Sequence, residues 1–324
     1  MASMENEIAH DFSPLLKVYK DGRLERLTGT ATVPPSLDPR TGVHSNDVAI
    51  SSEAGVSARL YLPAKPDVTT DLTRRVPLLV YFHGGGFCVE SAASPVYHNY
   101  LNSLSSQGSI FIVSVDYRLA PEHPLPAAYE DSWAVFKWAL NHSDGNGPNE
   151  WLNSRVDFGR IFLAGDSAGA NIVHHMALRA GLQGLPAGAN LKGIVLVHPY
   201  FWGKEPIGAE ANNGAAAGDE AHAGVLWKFV YPSSENGSDD PFINPNMDPN
   251  VGKLGCGRVL VCVAEKDGLK DRGWFYSQVL KKSGWGGSVE VIEAKGEGHV
   301  FHLFNPNSHN AGVFMTQICN FINQ

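Results

Sequence analysis

Ile161-Phe-Leu-Ala-Gly-Asp-Ser-Ala-Gly169 (IFLAGDSAG) is the stretch whose reading decides the fold. IFLA is a short apolar run of the kind that fits a strand buried on both faces. Gly165 to Gly169 then reads G-x-S-x-G. From Ser167 to Ala180, Ile172, Val173, Met176, Ala177 and Ala180 recur near helical spacing. A strand, a sharp turn and a helix around a serine is the context a nucleophile elbow requires. Gly165 and Gly169 remove side chains where strand and helix converge. Ser167 is then expected in a strained conformation with its hydroxyl exposed, at a helix N-terminus whose dipole favours negative charge.

Outward from this stretch, the same rhythm repeats. Pro77–Phe82, Ile110–Val115, Gly193–Val197, Arg258–Val263 and Val289–Ile292 are further short, nearly all-apolar runs. Val48–Ser51 and Val56–Leu62 look like an antiparallel edge hairpin, with Val56, Ala58, Leu60 and Leu62 expected on one face. Helical patterns at Ala127–His142, Gly273–Ser283 and Ala311–Ile322 lie between or after them. The alternation predicts an α/β fold with a mostly parallel, doubly wound sheet and helices on both faces. Right-handed crossovers would then gather the functional loops at the carboxyl ends of the strands. Two regions fall outside the rhythm: roughly residues 1–45, and 201–249, where Glu220–Tyr231 reads as one short helix. Both are expected to form a cap on a single domain spanning 1–324.

His83-Gly-Gly-Gly86 follows the strand PLLVYF. A glycine run there lets a substrate carbonyl approach backbone N–H donors, so Gly85 and Gly86, with the Ala168 amide after the serine, are candidate oxyanion donors. Asp267 lies just past the strand RVLVCV, where a carboxylate can orient a histidine; Glu265 and Asp271 are its competitors. His299, flanked by Gly296 and Gly298, follows VEVI, and the chain order Ser167, Asp267, His299 fits the hydrolase pattern. His302 is the rival base, and His174 and His175 read as packing residues.

Composition removes other classes. Lys plus Arg number 25 and Asp plus Glu 33, for a net charge of −8, which argues against a nucleic-acid partner. Hydrophobic residues are 43% and charged residues 18%, enough apolar content for a large core. No run approaches the length of a membrane helix, and the N-terminus lacks the features of a secretory signal. Four scattered cysteines without metal spacing read as reduced thiols of a cytoplasmic protein. No H-E-x-x-H spacing supports a metal site.

Together with HGGG and GDSAG, the segments VDYRLAPEHPLPAAYED (Val115–Asp131), WGKEPIG (Trp202–Gly208) and LLKVYKDGRLERL (Leu15–Leu27) carry a family resemblance. The chain resembles the plant carboxylesterase branch of the hormone-sensitive-lipase-like α/β-hydrolases. That resemblance implies a serine carboxylesterase acting on small apolar or aromatic esters, with no cofactor, no nucleic acid and no membrane partner. It also includes 2-hydroxyisoflavanone dehydratases, alkaloid-cyclising enzymes and gibberellin receptors. The receptors lack the triad histidine, whereas His299 is present here. The family implies supporting roles for Asp131 and Tyr117-Arg118. Phe87, Val89, Glu90, Phe201, Trp202, Trp227 and Val300 are the candidate pocket residues, and their aromatic content suggests an apolar or aromatic ester.

Overall fold

The computed structural model describes residues 7–64, 75–211 and 218–324. The chain first forms three short strands, β1 (Ile8–Phe12), β2 (Leu16–Tyr19) and β3 (Leu24–Arg26), paired antiparallel in the order β1-β2-β3. There follow β4 (His44–Ser51), β5 (Val56–Leu62), β6 (Val76–Phe82), α1 (Pro95–Gly108), β7 (Phe111–Asp116), α2 (Ala127–Leu140), α3 (Glu150–Arg155), β8 (Val156–Asp166), α4 (Ala168–Gln183) and β9 (Leu191–Val197). The chain closes with α5 (His222–Val230), β10 (Arg258–Ala264), α6 (Lys270–Lys282), β11 (Ser288–Ala294), α7 (Phe301–Phe304) and α8 (His309–Asn323).

Strands β4 to β11 make one eight-stranded sheet in the order β11-β10-β9-β8-β6-β7-β5-β4. From β7 to β11 neighbours run parallel, and β5 and β4 are added antiparallel at one end. Side chains on a strand alternate between faces. Leu78, Val80 and Phe82 of β6 therefore enter one core with residues of α2, α4 and α6, while Leu79 and Tyr81 enter a second with α1 and α8. This is why the strands are apolar almost throughout: helices cover both faces.

The β4–β5 hairpin lies antiparallel at the edge of the sheet, as its pattern predicts, but β5 is buried on both faces rather than one. Arg59 and Tyr61 of β5 are as buried as Leu60, and Leu62 is only partly buried, because α1 covers the second face. Arg59 is 1% exposed, pairs with Asp47 at 2.6 Å and reaches His98 of α1. The N-terminal segment, which falls outside the strand–helix rhythm of the sequence, holds the β1–β3 sheet. Four of the five β1 residues are exposed, so no buried alternation marks it as a strand. Helix α1 lies where the sequence shows no clear apolar stripe. Its polar run conceals Tyr97, Leu101 and Leu104, which fall at helical spacing and are buried; Pro95 opens it, and Ser109 closes it in the left-handed region.

Candidate active site

The site is assembled where β6, β8 and β10 end and where the loop after β11 returns to the sheet. Ser167 sits between β8 and α4 with φ 52 and ψ −118, a conformation that a residue with a side chain adopts only when its surroundings impose it. Three backbone bonds do so. The Ser167 amide donates to the Val197 carbonyl at 2.8 Å, and the Ser167 carbonyl accepts from Tyr200 at 3.0 Å and Asn171 at 3.2 Å. A Cβ at Gly165 would lie 2.6 Å from the Phe82 carbonyl oxygen, so the close approach of β8, β6 and α4 demands glycine there.

Asp267 lies beyond β10, 9% exposed, and its Oδ2 is 2.8 Å from Nδ1 of His299. Its Oδ1 accepts the Leu269 amide at 3.0 Å. Burial pushes the Asp267 carboxyl up, but the His299 bond and charge and the Leu269 amide outweigh it and hold the group below its ordinary value. With Nδ1 facing the carboxylate, Nε2 is the ring nitrogen left for a substrate or a serine. Val300, immediately after, is in the left-handed region at φ 46, and its amide donates to Nδ1 of buried His198 at 2.8 Å. The histidine loop is thus tied to the end of β9. Donor atoms of His198, Asp267 and His299 lie within 4.8 Å of one another, a spacing a metal ion could use. The two bonds just described already engage one atom of each.

The HGGG loop follows β6. Gly85 has φ 96 and Gly86 φ 61, the region that favours glycine. Among the described residues, the amides of Gly85, Gly86 and Ala168 donate to no protein acceptor, unlike the Gly84 amide, which is 2.8 Å from the Tyr97 hydroxyl. His83 is fully buried, stacks on Tyr117 at 4.2 Å and donates from Nδ1 to the Gly84 carbonyl at 2.8 Å. The Tyr117 hydroxyl donates to the His83 carbonyl at 2.7 Å. Arg118 and Asp131 form a bidentate pair, both bonds 2.8 Å.

Ser167, Asp267, His299, Gly85 and Gly86 open on one cavity of about 580 Å³. Of the expected wall residues, Val89, Glu90 and Val300 line it. Phe87, Phe201, Trp202 and Trp227 do not. Phe87 is 0% exposed, packed against Tyr129, Tyr200 and Trp227. Phe201 packs on Tyr276, and Trp202 donates its indole N–H to the Gly218 carbonyl under the Arg272 guanidinium. These large rings pack in the core, and the wall is mainly aliphatic: Leu15, Val96, Leu226, Leu269 and Leu303, with Phe304 at 67% exposure. The rival histidines lie elsewhere. His302 is 2% exposed with both ring nitrogens unpartnered, and burial pushes it down to about 3. His174 and His175 bond the Tyr276 hydroxyl and the Phe242 carbonyl.

Asp166 is a site residue that motif reading passed over, since it occupies the unspecified position of G-x-S-x-G. It lines the cavity floor and accepts the hydroxyls of Tyr81 at 2.7 Å and Tyr97 at 2.8 Å. Burial pushes its carboxyl up to about 6 despite those two donors. Through Tyr97, which also meets the Gly84 amide, it links the elbow to the glycine loop. Pro14, Leu15 and Thr28 of the N-terminal segment and His222, Ala223 and Leu226 of α5 supply the roof. Phe12 and Phe229 join these two pieces at 4.7 Å.

Comparison with known proteins agrees with this geometry. A family model described as the alpha/beta hydrolase fold matches residues 79–303. A protein of Arabidopsis thaliana named "Probable carboxylesterase 13" is 50% identical, covering 98% of this chain and 99% of that one. The "2-hydroxyisoflavanone dehydratase" of Glycyrrhiza echinata is 44% identical over 98% of this chain and 96% of its own. Among solved structures, an esterase of Pyrobaculum calidifontis superposes with a TM-score of 0.68 at 30% identity, covering 86% of this chain and 84% of that one. With the elbow, the glycine loop and these likenesses together, the chain belongs to the α/β-hydrolase family, in its plant carboxylesterase-like branch.

Proposed function

We propose that the protein is a serine carboxylesterase working through an acyl-enzyme, with Ser167 as nucleophile, His299 as base and Asp267 as its orienting carboxylate. The observation that carries this reading is the 2.8 Å Asp267–His299 bond facing the same cavity as a half-buried serine with a strained backbone. His299 Nε2 removes the proton of Ser167 Oγ as Oγ attacks the ester carbonyl. The carbonyl oxygen, now negative, is held by the amides of Gly85, Gly86 and Ala168, where losing one donor typically costs about 3–4 kcal/mol of barrier. The C–O bond breaks, His299 returns the proton to the leaving alcohol, and water repeats the sequence on the acyl-enzyme. Asp267 fixes the tautomer and carries the transient imidazolium.

The β1–β3 segment and the 201–249 insertion are, in this reading, one cap on a single domain. The aliphatic wall suits small, apolar acyl and alcohol groups. None of the described helices is long and apolar enough to cross a membrane. All four thiols are buried and unpaired, which supports a reducing compartment such as the cytoplasm.

A second reading has one observation in its favour, the similarity to the dehydratase. Elimination of water needs a base and a polarised carbonyl, which His299 and the glycine loop could provide without an acyl-enzyme. Assaying p-nitrophenyl acetate and butyrate beside 2-hydroxyisoflavanone dehydration, on wild type and Ser167→Ala, separates the two. We expect ester turnover that falls by about 10³-fold or more in the variant. Negligible ester turnover beside rapid dehydration would overturn the esterase reading.

A further inference from the structure

Glu90 is an acid of the cavity wall whose chemistry the acyl-transfer scheme leaves unused. It follows the glycine loop by four positions and its backbone has φ 73, a left-handed conformation unusual for a residue with a side chain. Neighbouring contacts impose it. The Gly85 carbonyl accepts the amides of Cys88 at 2.9 Å and Val89 at 3.1 Å, and Arg26 Nε donates to the Cys88 carbonyl at 2.7 Å. From the roof, Gly29 makes room: a Cβ there would lie 2.6 Å from the Glu90 nitrogen and 2.9 Å from its carboxyl carbon.

The charge around Glu90 is unbalanced. The other acids of the wall are satisfied, Asp166 by two tyrosine hydroxyls and Asp267 by His299 and the Leu269 amide. The Glu90 carboxylate accepts no hydrogen bond and pairs with no cation among the described residues. Among the described residues, no lysine or arginine lines the cavity. Arg26, nearby in the cap, is paired with Glu122 through bonds of 2.8 and 2.6 Å. The remaining wall is mainly aliphatic, so the field of a lone carboxylate is weakly screened there.

Resting on the esterase reading of this cavity, we propose that Glu90 selects substrates by the sign of their charge. Esters carrying an ammonium group away from the scissile carbonyl are favoured over neutral esters of the same shape. Esters carrying a carboxylate are rejected, because they would enter a negative cavity with no cation to meet them.

Three thioesters of similar size test this: acetylthiocholine, S-(3,3-dimethylbutyl) thioacetate as its uncharged isostere, and 3-(acetylthio)propionate. The readout is the ratio of kcat/KM for each charged probe to that for the neutral one, so the neutral probe is each protein's own reference. Wild type should rank cation, neutral, anion. Glu90→Gln should lower the cation-to-neutral ratio about tenfold, and Glu90→Lys should invert the ranking. Ratios that stay the same in both variants would overturn the proposal. So would a parallel fall for all three probes, the mark of a loop that has merely lost its shape. Binding of the same probes to Ser167→Ala, read by calorimetry, gives the same ratios without turnover. If wild type cleaves none of the probes yet binds them in the stated order, the esterase reading fails and charge selection stands.

Discussion

The convergence of Ser167, Asp267 and His299 on one cavity was legible in the chain because each follows an apolar run by a few residues, and strand ends are where this fold gathers its loops. The strain at Ser167 was legible too, from the glycines on either side. What the wall is made of was not. An aromatic near a motif looks the same in sequence whether it fills the core or faces a ligand. Phe87 and Trp227 fill it, with 0% exposure. The choice between His299 and His302 rested on flanking glycines, and the two now differ physically. His302 is enclosed by Tyr100 and Phe314, with no carboxylate beside it. His299→Ala should therefore lower kcat by about 10³-fold or more with KM little changed. His302→Ala should leave kcat within about fivefold while costing roughly 2–4 kcal/mol of stability through the cavity it opens. Steady-state kinetics and urea unfolding on the two variants check both statements, and a reversed pattern would make His302 the base.

At the level of elements, the parallel strands and the helices with a clear apolar stripe were readable because their periodicity reflects burial. The β1–β3 sheet and α1 were not, each for its own reason. Strand β1 is held by backbone pairing with little burial, and α1 mixes asparagines and serines with the two tyrosines and the leucines it buries. Yet β1–β3 matters to the site. Leu16 is 0% exposed, Leu15 lines the cavity, and Phe12 meets both Phe229 and His222 of α5. Deleting residues 1–24 should remove part of the roof. We expect KM for p-nitrophenyl butyrate to rise about tenfold, with increased binding of an apolar dye, since a buried leucine contributes roughly 1.5–3 kcal/mol. Unchanged KM and dye binding would show that these strands cover nothing the substrate touches.

Over the whole molecule, buried histidines set the response to acid. His174, His175, His198 and His302 are all pushed below their ordinary value by burial, His175 to about 4 and His302 to about 3. The unfolded chain would protonate them near pH 6.5, so between about pH 6.5 and 4 it binds more protons than the native state and stability falls as pH falls. Asp166 acts in the opposite sense. Its native value near 6 lies above the unfolded one, so its contribution grows as pH drops from about 6 to 4. His83, His98 and His142 are lowered by burial as well, so the histidines outnumber the one aspartate and the net effect over this range is a loss of stability as pH falls. Urea unfolding at pH 7.5, 6 and 5 should show the loss. Equal stability at all three would mean that these histidines are protonated in the native state. None of this could be read from the chain, where thirteen histidines are present and nothing in their spacing says which are buried.

The central claim, that Ser167 is a nucleophile activated by the group across the cavity, is tested most directly by covalent capture. An alkyl fluorophosphonate should add one adduct per chain by intact mass, peptide mapping should place it on Ser167, and labelling should stop in Ser167→Ala and slow by orders of magnitude in His299→Ala. Stoichiometric labelling that persists in Ser167→Ala would contradict the account.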